Sequence, residues 1–304
     1  MSDGLLVVGD VVTDVVAVHR EPPAPATDTA ADIRILPGGA GANVACWAAH
    51  EGVAEVSLLA RVGADRSSWH EGFLQRAGVR PRLVVDTGAP TTTVVSLVDA
   101  SAGAERSFLT DSGATLRLCP ADWSPALLDG VAHLHVSGYL FFAESSRELA
   151  LLALRSARSR GVPVSVDPAS AGFIADFGVS RFLAAVEGAC ILLPNHDEAR
   201  LLTGLPDPAE AAAKLSRHVP LVVTTQGARG ALVAESGAVT ARISPAAAQA
   251  VDSTGAGDAF TGAFLAALLA GGGPVAAAEA GCRAGAEAVT RMGGRPGSRT
   301  RGAQ

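Results

Sequence analysis

Short apolar runs ended by turn residues, with longer stretches of helical periodicity between them, set the rhythm of this chain. Leu5 to Val8 reads as a buried strand ending at Gly9-Asp10, and Val11 to Val18 continues β-rich with Asp14 inside it. Glu21 to Thr29 is proline-rich and reads as an irregular excursion, after which Asp32 to Leu36 alternates as a half-buried strand does. Pro37-Gly38-Gly39-Ala40-Gly41-Ala42-Asn43 makes a glycine-rich turn into a small-residue helix, Val44 to His50, and Val56 to Ala60 is the next strand. A helix over Ser67 to Ala77 stops at Gly78. Val79 to Val85, Thr91 to Asp99 and Arg106 to Thr110 are β-rich with turn residues between them, which predicts hairpins.

From there strand and helix alternate. Strands are predicted at His133–Ser137, Val162–Val166, Ile191–Leu193, Leu221–Thr225, Ala231–Ala234 and Val239–Ile243. Helices are predicted at Ser145–Arg160, Val179–Glu187, Asn195–Thr203, Pro208–Arg217, Ala259–Ala270 and Pro274–Val289. This pattern predicts an α/β fold, a doubly wound, mostly parallel sheet flanked by helices on both faces. The β-only stretches near 11–36 and 83–111 break the rhythm and are expected to form a small β-sheet lid inserted in a single domain spanning 1–304.

Composition narrows the function classes. A net charge of −6 argues against nucleic acid or an anionic membrane surface as a partner. No apolar run reaches the roughly 18 residues of a membrane span, no basic leader opens the chain, and Cys46, Cys119, Cys190 and Cys282 lie far apart without CxxC spacing. A cytoplasmic location is the expectation. Of 24 basic residues all but Lys214 are Arg, and Lys214 follows Ala213 on a helix of solvated character. That position excludes a Walker A loop, which needs Lys after its last glycine, and a Schiff-base lysine. Any phosphate must be neutralised by backbone N–H groups, a metal ion or Arg.

The densest candidate chemistry is Asp252-Ser253-Thr254-Gly255-Ala256-Gly257-Asp258, followed by an apolar helical run. Gly255 and Gly257 let the backbone come close to a ligand, and the helix start presents unpaired N–H groups to an anion. Asp258 in that place suits proton removal from a nucleophile while the N–H groups hold charge on a transferred group. A tight turn is the plainer alternative. Gly38 to Asn43 offers close approach to a small ligand and an amide able both to donate to and accept from a hydroxyl. Its spacing does not satisfy GxGxxG. Asp14 is either a turn former or an acceptor for two hydroxyls of a sugar diol. Asn195-His196-Asp197-Glu198 reads as a capping box, or as a place where Glu198 orders water on a Mg²⁺ beside nucleotide phosphates. Thr225-Gln226-Gly227 with Gly230 is an ordinary turn or a nucleotide contact. The seven histidines lack zinc-like spacing, and His133 and His135 read as strand residues.

Together these stretches resemble the ribokinase-like (PfkB) carbohydrate kinase family. Pro37 to Asn43 resembles the family's N-terminal signature and Asp252 to Asp258 its C-terminal one. Pro194-Asn-His-Asp-Glu198 resembles its Asn-x-x-Glu motif, and Thr225-Gln-Gly227 and Val289-Thr-Arg291 fall in matching order. The resemblance implies ATP-dependent transfer to a primary sugar hydroxyl, with Asp258 as base and the N–H groups of Ala256, Gly257 and Asp258 as an anion hole. It implies Asn195 and Glu198 at the Mg²⁺–phosphate end, and Thr225, Gly227, Gly230 and Cys282 near the nucleotide. Asp14, Gly38, Gly39 and Asn43, with Arg106 from the lid, would hold the sugar. Asp252 and the carbonyls near Gly293 resemble a monovalent cation site, which makes K⁺ a candidate beside ATP and Mg²⁺. The departures are Cys282 where relatives often carry Asn, Ala40 where ribokinases usually carry Lys, and His196-Asp197 in place of Glu-Thr. A nucleoside kinase of the same family, a sugar-binding sensor and a hydroxymethylpyrimidine kinase are the alternatives. With only Phe108 and the nearby Trp47 to stack on a base, a plain sugar is the expected acceptor. A homodimer through the lid strands is expected, because free strand edges pair readily.

Overall fold

The structure, a computed structural model, describes residues 3–23, 25–99 and 105–297. Thirteen strands form two sheets among these residues. The large sheet contains β1 (Gly4–Val8), β4 (Val56–Gly63), β5 (Val79–Asp86), β8 (Val131–Ser137), β9 (Val164–Asp167), β10 (Ile191–Leu192), β11 (Leu221–Thr225), β12 (Ala231–Glu235) and β13 (Ala238–Ile243). Their order is β13-β12-β11-β10-β9-β8-β1-β4-β5. The seven strands from β11 to β5 pair parallel, and β12 and β13 close the far edge antiparallel.

The helices are α1 (Ala40–His50), α2 (Ser67–Arg76), α3 (Glu144–Ser159), α4 (Ala171–Phe177), α5 (Val179–Ala185), α6 (His196–Thr203), α7 (Pro208–Leu215), α8 (Ala256–Leu269) and α9 (Pro274–Ala288). A parallel strand covered on both faces must be apolar throughout, and β1 is buried at every position. Its alternate side chains feed two cores. Leu6 and Val8 join residues of α3 to α7 on one face, while Leu5 and Val7 join residues of α1, α2, α8 and α9 on the other. The sheet runs outward in both directions from β1 and β8, so the strand order reverses between them. The carboxyl ends of strands at such a reversal form the natural ligand crevice of an open α/β sheet.

The small sheet has the order β3-β2-β6-β7, from β2 (Val12–His19), β3 (Ala31–Gly38), β6 (Thr93–Asp99) and β7 (Glu105–Asp111). It begins its second half at residue 93, not 83. Residues 79–86 instead form the parallel edge strand β5 of the large sheet, paired from Val56↔Val79 to Gly63↔Asp86. Of the expected hairpins, β6 and β7 do pair antiparallel, whereas residues 79–86 lie in the other sheet and pair with neither; β2 joins β3 antiparallel and β6 parallel. One helix was not anticipated: α4 precedes α5, with Gly178 at φ 101° as the break between them.

Candidate active site

A cavity of about 600 Å³ lies at the carboxyl ends of the parallel strands, roofed by the small sheet. The alternation of the small sheet decides what it contributes. Val12, Asp14, Val94, Phe108 and Thr110 share its inner face and line the cavity. The floor comes from strand ends: Asp10 after β1, Tyr139 after β8, Asp167 at the end of β9, Asn195 after β10 and Thr225 at the end of β11. Gly39, Ala40 and Asn43 from the start of α1, and Thr254, Gly255, Gly257, Asp258 and Thr261 from the start of α8, complete the wall.

The two helix starts differ in what they leave free. At α1, Asp10 occupies the N–H groups, accepting from Ala40 at 2.9 Å and Gly41 at 3.0 Å, and Ser137 Oγ adds a third hydrogen bond at 3.2 Å. That end of α1 is closed by the chain's own carboxylate. At α8, Gly255 caps the helix at φ 75°, and a Cβ there would run into Gly294. The Ala256 N–H turns back to Ser253 O at 3.3 Å. First-turn N–H groups have no carbonyl four residues back, so those of Gly257 and Asp258 are the ones offered to an anion. A Cβ on Gly257 would meet nothing within 4 Å, which marks open space above this turn.

Asp258 shares the α8 start with those donors, and Asn43 Nδ2 donates to its Oδ2 at 2.8 Å. Burial pushes its pKa up to about 8, against the lowering effect of the Asn43 hydrogen bond. The Asn43 Oδ1 is buried and has no partner, leaving an acceptor for a hydroxyl. Asp14 is likewise raised, to about 7, by burial and by the neighbouring Asp10, with the Arg295 charge acting the other way. Its carboxylate packs directly on Gly38, where any Cβ would collide with it.

Asn195 and Glu198 form the full capping box of α6: Glu198 N–H donates to Asn195 Oδ1 at 2.9 Å and Asn195 N–H to Glu198 Oε2 at 2.8 Å. Both line the cavity, and Asn195 bridges to Thr225 of β11. The buried Glu198 carboxyl is shifted upward by desolvation and then by Asp167. Asp167 rises for the same first reason, although it accepts Ala169 N–H at 2.8 Å and Thr261 Oγ1 at 3.4 Å. Two carboxyls raised by burial, Glu198 further by Asp167 and Asp167 further by Asp10, suit a divalent cation, whose charge would relieve both. Among the described residues, no Lys or Arg lines the cavity. Phosphate charge would therefore fall to that cation and to the α8 N–H groups.

Other expected site residues lie away from the wall. Gly227 and Gly230 form the turn after β11, and a Cβ at Gly230 would strike Ile243 O, so packing against β13 accounts for this glycine. Cys282 is half-buried in α9 among apolar neighbours and does not reach the cavity. Asp252 accepts N–H groups on both oxygens, from Thr254 at 2.7 Å and Gly293 at 3.0 Å, and so ties the α8 approach to the C-terminal segment. Arg106 pairs through its backbone with Val98, and its side chain lies outside the described residues. Trp47 does not stack in the cavity: it is fully buried and donates Nε1–H to Gly294 O at 2.9 Å.

Asp10, Asp167 and Tyr139 were not singled out from the sequence. Their signal there is slight, an acid or aromatic at a strand end, and only the sheet order brings them together. Phe142 and Phe173 are further cavity residues of this kind.

A family model for pfkB family carbohydrate kinases matches residues 2–301. The chain belongs to that family. This pfkB-family chain is 29% identical over 279 residues to a ribokinase of Haemophilus influenzae, covering 88% of this chain and 86% of the relative. It is 30% identical over 288 residues to a fructokinase of Klebsiella pneumoniae, covering 90% and 87%. Its fold matches that of a putative ribokinase II from E. coli in complex with ATP and Mg²⁺, with a TM-score of 0.85, 22% identity and coverage of 97% and 95%. The kinase is thus an enzyme of the phosphotransferase class with a ribokinase-like fold.

Proposed function

We propose that this kinase transfers the γ-phosphoryl group of ATP to a primary hydroxyl of a small sugar, such as a furanose or ketose. One observation carries the reading. Asp258 stands beside the open N–H groups of α8 in the cavity that also holds Asp14 and the unpartnered Asn43 Oδ1. In this reading Asp14, Asn43 and the Gly38-Gly39 backbone hold the acceptor. Asp258 takes the hydroxyl proton as the oxygen bonds to phosphorus and the bond to the ADP oxygen breaks. The N–H groups of Gly257 and Asp258 stabilise the charge on the moving group. A raised pKa suits a base working near neutrality. Glu198, with Asp167 beside it, would hold Mg²⁺, which supplies charge neutralisation at the phosphates. Asn195 and Thr225 lie at the nucleotide end, and K⁺ on carbonyls near Asp252 would stiffen the α8 turn.

A nucleoside acceptor is the second reading, and a specific observation favours it. Phe108, Tyr139, Phe142 and Phe173 all line the cavity, and Phe142 stacks on Phe173 at 5.3 Å. Aromatic surface of this kind suits a planar base. ADP release in the presence of Mg²⁺ and K⁺, across pentoses, hexoses, ketoses and nucleosides, tests both. Release with sugars supports the first reading, and release with nucleosides alone supports the second. No acceptor-dependent release with any compound would sink both and leave the sensor reading. We also propose that two copies associate through the small sheet.

A further inference from the structure

The C-terminal segment Gly293-Gly294-Arg295 touches both the approach to α8 and the acceptor end. Gly293 N–H donates to Asp252, Gly294 O accepts from Trp47, and Gly294 packs on both Gly255 and Asn43. Arg295 continues the segment under the small sheet, where its Nη2 donates to Gly38 O at 3.2 Å. Its Nε and Nη1 are buried and have no hydrogen-bond partner. A guanidinium taken out of water with two nitrogens unmatched is costly, and burial lowers its pKa accordingly. Such a charge calls for a compensating anion nearby.

Gly38 is where that anion is found. Arg295 holds the Gly38 carbonyl, and the Asp14 carboxylate packs on the Gly38 α-carbon. We propose that Arg295 is a positioning residue for Asp14: its charge, fixed on the Gly38 carbonyl, keeps Asp14 as the carboxylate that accepts hydrogen bonds from the acceptor's hydroxyls. The inference rests on the acceptor-binding reading of Asp14 given above. The other groups facing Asp14 oppose ionisation or are uncharged. Asp10 and Asp252 raise its pKa, and Asp14 in turn raises that of Asp258. Its partners in register on β3 and β6 are Leu36 and Val94. On α2, His70 is buried beside Thr13, with its pKa pushed down to about 3 by desolvation and then by Arg295, so it is neutral. On α1, Cys46 is a buried thiol whose pKa desolvation raises. Among the described residues, Arg295 is the cation that offsets this set.

The test is a substrate-free ¹³C NMR titration of the full chain labelled at aspartate carboxyls, with Asp14→Asn to assign the Asp14 signal. Arg295→Met should raise the Asp14 midpoint by about one unit, a tenfold loss of the ionised form below it, and Arg295→Lys should restore it. An unchanged midpoint in folded Arg295→Met, or an equal rise in Arg295→Lys, overturns the proposal. Should Arg295→Met not fold, the wild-type protein supplies the answer. The Arg295 Nε–H signal should titrate with Asp14 and lose that response in Asp14→Asn, and a signal that ignores Asp14 overturns the proposal too. Neither reading uses an acceptor, so each stands apart from the ADP-release assay. In that assay, Arg295→Met should raise the acceptor KM near neutral pH and leave the ATP KM unchanged.

Discussion

Asp14 and Asp258 are two buried carboxyls in one cavity, and their neighbours give them different tasks. Asp258 sits on the first turn of a helix with open N–H groups and a hydrogen bond from Asn43. Asp14 sits on the inner face of the small sheet against Gly38, away from those donors. A carboxylate accepting from two hydroxyls makes charge-assisted hydrogen bonds, each worth about 1.5–3 kcal/mol when lost. Asp14→Ala should therefore raise the acceptor KM by about a hundredfold or more, while initial-rate kinetics show the ATP KM within about twofold of wild type. Equal effects on both would remove Asp14 from the acceptor site. At this scale the sequence was informative where function and local backbone coincide, as in Gly255 to Asp258. It was silent where function depends on a distant partner. Asp10 looks like a turn residue until the start of α1 is seen resting on it, and Arg295 looks like part of a loop until Gly38 is beside it.

Among the elements, α8 carries the site because α1 and α9 clamp it. Gly262 allows α1 to approach so closely that a Cβ there would lie 2.6 Å from Trp47 Cβ and 2.7 Å from Val44 O. On the other side Gly281 of α9 takes the Phe260 ring, where a Cβ would lie 2.7 Å away. Overpacking of this kind costs about 1–3 kcal/mol. Gly262→Ala should lower stability by that amount in denaturant titration, and it should lower activity too, by shifting the α8 start relative to Asn43. Wild-type stability would show that α1 and α8 separate freely. Periodicity found the α/β alternation, because fully buried parallel strands and amphipathic helices leave a strong local pattern. It could not assign residues 79–86 to a sheet. An exposed edge strand of the large sheet alternates just as a small-sheet strand does, and only pairing with β4 distinguishes them. The α4 helix escaped notice because it is one short element cut off by Gly178.

For the whole molecule, the small sheet is both the roof of the cavity and an apolar surface. Its outer face carries Ile35, Val15, Val95 and Leu109 in one register row across all four strands. Ile33, Ile35 and Leu109 are 65%, 48% and 62% exposed, a cluster rather than scattered apolar residues. The proposed dimer buries this face. Sedimentation should give a dimer for the wild type and a monomer for Ile35→Asp combined with Leu109→Asp, whereas a monomeric wild type contradicts the pairing. The cavity's aromatic wall was the part of the architecture least legible beforehand. Tyr139, Phe142 and Phe173 come from the turn after β8 and from the unanticipated α4, so no single stretch of sequence displays them together.

The central claim is that Asp258 accepts the proton of the acceptor hydroxyl, and turnover of Asp258→Asn tests it most directly. With the acceptor that gives the fastest ADP release, the account predicts a fall in kcat of roughly 10²–10⁴-fold with little change in acceptor KM. It also predicts that the wild-type rate falls as the pH is lowered through about 8, because the protonated carboxyl cannot act as a base. Near-normal turnover in Asp258→Asn would contradict the account.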